Sequence, residues 1–106
     1  MTKFVDVLDF DVLPEGRGVS TWVAGHNVAL FRVDGEVHAI EDSCPHAGSA
    51  LGCGSLEGGV VRCPSHGLPF DVRTGCGLDN SMKVATYPVR VDCGRVWVGV
   101  PDLEEI

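Results

Sequence analysis

Two short segments, CPHAG at residues 44–48 and CPSHG at residues 63–67, each place a cysteine, a proline and a histidine within four residues and end on glycine. Cys44, His46, Cys63 and His66 together make a set of two thiols and two imidazoles, the size of a complete metal coordination sphere. A single tetrahedral zinc takes such a set, but zinc knuckles usually space their ligands as paired cysteines followed by paired histidines. Here each segment supplies one of each. A two-iron, two-sulfide cluster of mixed ligation binds two thiolates on one iron and two neutral imidazoles on the other, so each segment can serve both irons. Zinc and the cluster are both chemically admissible on the spacing alone.

The flanking residues suit close approach to an inorganic group. Pro45 and Pro64 fix φ directly after each cysteine and contribute no N–H. The glycines that follow the histidines let the backbone come near, with amides free to donate to cluster sulfurs. His26, at an expected turn, and His38, in an expected strand, read as ordinary surface or half-buried histidines. Cys53, Cys76 and Cys93 read as thiols at turns, and Trp22 and Trp97, both in strands, as core aromatics.

The remainder of the chain must present these loops, and it reads as short strands. With 106 residues, one domain is expected; 14 glycines and 6 prolines favour many tight turns. Segments 4–10, 18–25, 27–33 and 36–40 are rich in β-branched and aromatic residues, with turns expected at residues 25–27 and at Asp34-Gly35. From Glu41 to Gly59 the periodicity stops, and the first metal-binding segment lies inside that irregular stretch. Strands resume at 60–63 and 68–72, with a turn at Thr74-Gly75. Strands at 84–92 and 95–100 follow, joined at Asp92-Cys93-Gly94, and the acidic tail 101–106 is expected to fray. Val96, Val98 and Val100 alternate with Trp97 and Gly99, the period of a half-buried strand. No segment longer than about ten residues has helical periodicity, so the fold class is all-β, a small sandwich or barrel.

The formal charge of −7 and the lack of any Lys/Arg cluster disfavour nucleic acid and anionic membrane surfaces as partners. The first residues carry three aspartates instead of the basic start and apolar run of a signal peptide, and no apolar stretch is long enough to span a bilayer. A cytoplasmic protein, monomeric in solution, is expected. In a reducing compartment five cysteines suit metal ligands and thiols better than a disulfide framework.

With both halves of the motif, the flank GSLEGGVVRCPSHGLPFDVRTG and the closing segment YPVRVDCGRVWV, the chain resembles the Rieske iron–sulfur proteins, above all the small Rieske-type ferredoxins. The resemblance runs from about Val19 to Val100. It implies one [2Fe-2S] cluster per chain, Cys44 and Cys63 on one iron, and His46 and His66 on the other near the domain tip. It also implies antiparallel sheets forming a single Rieske domain, residues 1–106, with cluster loops at about 42–70 as a protruding subdomain. The implied function is one-electron transfer, not catalysis, from a flavin-dependent ferredoxin reductase to the terminal oxygenase of a ring-hydroxylating dioxygenase or monooxygenase system. The small subunit of assimilatory nitrite reductase shares the domain and is the alternative.

Respiratory Rieske proteins brace their cluster with a disulfide between the loops; the corresponding positions here are Ser49 and Ser65, so no disulfide is expected. Those proteins also offer hydroxyls to the cluster after the second histidine, where this chain has Leu68 and Phe70, neither of which can donate. Hydrogen bonds to the sulfurs stabilise the reduced state, so a midpoint near the low end of the Rieske range, about −150 mV, is expected.

Overall fold

The computed structural model describes residues 2–45, 48–78 and 81–101. His46, and the tail expected to fray beyond Pro101, lie outside the described residues. Among the described residues ten strands follow in order: β1 (Thr2–Asp9), β2 (Gly18–Val23), β3 (His26–Val33), β4 (Glu36–Glu41), β5 (Ser55–Glu57), β6 (Val60–Arg62), β7 (Pro69–Asp71), β8 (Thr86–Tyr87), β9 (Val89–Asp92) and β10 (Arg95–Pro101). They pair antiparallel into three sheets, β1-β10-β9, β2-β3-β4-β8 and β5-β6-β7. The all-β class expected from the sequence is therefore the observed one. Among the described residues no helix is long and apolar enough to cross a membrane.

Strand β3 explains how the sheets stack. Val28, Ala29, Leu30 and Phe31 are all fully buried, although successive strand residues face opposite ways. Both faces of the central sheet are consequently covered. On one face Val28 and Leu30 pack with Val96, Val98 and Val100 of β10, closing a sandwich. On the other, Ala29, Phe31 and Val33 pack with Leu51, Val61, Phe70 and the two cysteines Cys44 and Cys63. Burying a side chain such as Phe31 or Phe70 contributes about 1.5–3 kcal/mol relative to leaving it exposed. The third sheet and its loops are thus held to the central sheet by an apolar layer of their own.

Tight two-residue turns set the register. Asp34-Gly35 and Cys93-Gly94 both have positive φ throughout, as the primed hairpin turns require. The first hairpin turn is Ala24-Gly25, since Val23 pairs with His26; the turn expected at residues 25–27 therefore lies one residue earlier. Gly58-Gly59 is a further turn of this type, and it joins β5 to β6 inside the stretch expected to be irregular. Between the sheets, Gly54 lies so close to β6 that a Cβ there would stand 2.1 Å from the Arg62 carbonyl oxygen. That approach holds the segment after the first loop against the residue preceding Cys63.

Trp22 departs from expectation. It is 66% exposed and is not a core residue. It lies two residues beyond Ser20 on the same face of β2, and the segment at Gly52 packs against Ser20. That cover ends before Trp22. Trp97 is half-buried. His26 and His38 are half-buried as expected, His26 with its ring edge toward Tyr87 at 6.1 Å between centroids. Burial, and then the nearby Arg73 charge, lower the His38 pKa from its ordinary value. Cys53, Cys76 and Cys93 are exposed.

Candidate metal centre

The two near-repeats in the sequence are repeats of backbone structure. In the first loop the Cys44 N–H donates to the Ser49 carbonyl at 2.8 Å and the Gly48 N–H donates back to the Cys44 carbonyl at 2.7 Å. In the second, the Cys63 N–H donates to the Leu68 carbonyl at 2.9 Å and the Gly67 N–H to the Cys63 carbonyl at 2.8 Å. Gly48 and Gly67 close these turns at φ +71° and +73°, a left-handed conformation that side chains rarely adopt. Counted from its cysteine, His46 is third in its segment, a place taken by Ser65 in the other, while His66 is fourth.

Each loop points its cysteine inward. Cys44 is 1% exposed and Cys63 2%, in one apolar cluster with Phe31, Leu51 and Phe70. Their side chains meet in a hydrogen bond. Burial pushes the Cys63 thiol up, but that hydrogen bond, the backbone N–H groups of Ser65 and His66 and the Ser49 hydroxyl outweigh it, and its pKa falls below the ordinary cysteine value. The same donors that favour a thiolate would stabilise a sulfur bound to metal. His66, by contrast, is exposed. Buried sulfur and solvent-facing imidazole on one turn give that turn an inner and an outer end.

The loops are also tied together and to the sheets. The hydroxyl oxygens of Ser49 and Ser65, one from each loop, hydrogen-bond to one another where the respiratory proteins have their disulfide. Among the described residues there is no disulfide. Arg62 Nη1 donates to the Gly67 carbonyl at 3.1 Å. Asp42, which is only 7% exposed, accepts the Gly52 N–H at 2.7 Å, and its own N–H donates to the Asn27 carbonyl at 3.1 Å. It thereby fastens the chain on either side of the first loop to the central sheet. Sequence reasoning did not single out Asp42, because its partner is ten positions away along a stretch without periodicity. Leu68 is half-buried and packs against the apolar cluster, and Phe70 is fully buried within it.

The described part of the site fits a sulfide-bridged cluster. Two soft sulfurs stand side by side in an apolar pocket, amide N–H groups are directed at one of them, and an imidazole follows three residues later. Among the described residues no group of three or more ligating side chains is gathered; the fourth expected ligand, His46, lies outside them.

Residues 3–99 match the model of the Rieske-like [2Fe-2S] domain. A relative from Ralstonia sp., the ferredoxin component of naphthalene 1,2-dioxygenase/salicylate 5-hydroxylase systems, is 37% identical over 96 residues, spanning 89% of this chain and 92% of the relative. Among solved structures, the ferredoxin–oxygenase complex of carbazole 1,9a-dioxygenase includes a chain 30% identical with a TM-score of 0.83, covering 90% of this chain and 91% of that one. A protein from Mycobacterium tuberculosis assigned as an NADH-dependent nitrite reductase small subunit is 32% identical with a TM-score of 0.88, covering 97% and 99%. The paired loops, the buried cysteines and the match along nearly the whole chain agree: this protein belongs to the Rieske-like [2Fe-2S] domain family.

Proposed function

We propose that this protein is a one-electron carrier that takes electrons from a flavin-dependent reductase and delivers them to the terminal oxygenase of a ring-hydroxylating system. The observation that carries this reading is the asymmetric turn at residues 63–67, with its thiol in the core and its histidine in solvent. Cys44 and Cys63 would hold one iron of a [2Fe-2S] cluster and His46 and His66 the other. When bound, the cluster supplies a single reversible electron.

The chain's own residues do the rest. Phe31, Leu51 and Phe70 exclude water around the cysteines, and the Ser65 and His66 amides stabilise negative charge on the Cys63 sulfur. His66, on the exposed side, would offer a docked partner the route by which an electron leaves. The acidic surface suits brief, salt-sensitive encounters.

A single domain is supported by a radius of gyration of 13.0 Å, that of one domain of about 100 residues. The cluster loops, about 42–70, are part of it. We place the protein in the cytoplasm, and its net charge of −7 suits a monomer in solution. The naphthalene dioxygenase relative favours the oxygenase as acceptor. The nitrite reductase neighbour supports a second reading, a small subunit fixed in that enzyme.

Anaerobic titration of the purified protein with dithionite separates a carrier from the zinc alternative. We expect one electron taken up per chain and full recovery of the oxidised spectrum in air over repeated cycles. Uptake of no electron, or loss of colour after one cycle, contradicts the reading. Stable co-purification with a large haem-containing partner would favour the nitrite reductase subunit.

A further inference from the structure

The two loops close their bases by different means. In the second, the residues flanking the turn, Arg62 and Pro69, are paired in the ladder of β6 and β7, so the hairpin itself holds Cys63. Among the described residues the first loop has no such ladder: β4 ends at Glu41, and the return runs through a short 3-10 turn, Leu51–Cys53, before β5 begins. One side chain stands in its place. Asp42 Oδ1 accepts the Gly52 N–H at 2.7 Å, while the Asp42 N–H donates to the Asn27 carbonyl of β3 at 3.1 Å. Asp42 is the only buried charged side chain among the described residues, and a charge taken out of water persists only where donors meet it. Gly52 is pressed between β2 and that carboxylate: a Cβ on it would stand 3.1 Å from the Ser20 nitrogen and 3.3 Å from Asp42 Oδ1.

We propose that Asp42 is the positioning residue of the first loop, a latch whose carboxylate closes the loop's base and so holds Cys44 beside Cys63. Releasing it frees the chain between Asp42 and Gly52 to swing away from the central sheet, while the second loop stays fixed to its hairpin. The first loop is therefore the one that moves when a cluster enters or leaves. At the loop tips, the contact between Ser49 and Ser65 is exposed and competes with water. The bond at the base is buried and carries a full charge, which makes it the stronger fastening. The inference rests on the reading of Cys44 and Cys63 as ligands of one cluster.

The test compares Asp42→Ala and Asp42→Asn with the parent, both loaded and after iron has been stripped from the full chain. Two rates are measured: loss of iron to EDTA, followed by the visible spectrum, and amide hydrogen exchange at Cys44, Gly48 and Gly52 against Cys63 and Gly67. Removing the acceptor leaves a buried N–H unpaired, so Asp42→Ala should lose iron, and exchange the three first-loop amides, about tenfold faster. Cys63 and Gly67 should exchange as in the parent. Asparagine keeps an acceptor oxygen at the same place, so Asp42→Asn should stay within about twofold of the parent in both rates. Equal acceleration in the two loops overturns the proposal, because it reports a general loosening of the fold. Parent rates in Asp42→Ala, or Asp42→Asn as fast as Asp42→Ala, overturn it as well. Should Asp42→Ala bind no cluster, exchange in the stripped chains decides: acceleration confined to the first loop supports the proposal and its absence overturns it. A parent that binds no iron would remove the functional reading, and the same exchange comparison would still decide on the latch.

Discussion

Replacing Cys63 by serine should yield a soluble, colourless protein holding less than about a tenth of the parent's iron and sulfide. A serine hydroxyl is a hard donor that remains protonated at neutral pH, whereas iron–sulfur clusters are held by thiolate. The fold itself has reason to tolerate the change. Cys63 lies 2% exposed among apolar side chains, but the Ser65 and His66 amides already directed at its sulfur can donate to a hydroxyl oxygen instead. The cost of the substitution to the unloaded chain should be about 1–2 kcal/mol. Cys53→Ser is the matched comparison. Cys53 is exposed, and its loss should leave iron and sulfide at the parent's level. Iron and acid-labile sulfide per chain, with the visible spectrum, check both; full loading of Cys63→Ser contradicts the assignment of that ligand.

The second large effect is one of stability. Ser49 and Ser65 touch through their hydroxyls across the two loops, sixteen positions apart in sequence. Contact between the hydroxyl oxygens brings the two side chains within the reach a disulfide needs. The double variant Ser49→Cys, Ser65→Cys should oxidise to a bridge and lose two titratable thiols. Closing a loop of this length stabilises the chain by about 3 kcal/mol, chiefly by restricting the unfolded state. Guanidinium unfolding of the oxidised double variant against the same protein reduced with dithiothreitol measures the gain. No loss of thiols on oxidation, or coincident unfolding curves, would show that the loops do not meet as described.

Much of this architecture was legible along the chain, and the exceptions share a cause. The Asp34-Gly35 and Cys93-Gly94 hairpins were readable because local backbone conformation dictates them. The repeat of Cys-Pro around 44 and 63 announced two equivalent loops, and the equivalence extends to their backbone hydrogen bonds. Strand β5 escaped because Ser, Leu and Glu carry little strand preference, although Gly58-Gly59 signalled its hairpin. Trp22 was misplaced because alternation shows which face a residue occupies and says nothing of how far another layer extends over it. The buried Asp42, bonded to the Gly52 N–H, is a tertiary arrangement without any local pattern. Ser49 could be placed opposite Ser65 only through the resemblance to proteins with a disulfide there, and the contact between the two hydroxyls became visible only in three dimensions.

The central claim is that two cysteines and two histidines share one cluster, and nitrogen hyperfine coupling tests it most directly. Protein grown with 15N-labelled histidine is reduced and measured by electron–nuclear double resonance, beside a His66→Cys variant prepared in the same way. Two strongly coupled labelled nitrogens in the parent, and fewer in the variant, are the predicted result. A reduced centre without coupling to labelled histidine, or a colourless parent that holds one zinc and no sulfide, would contradict the account.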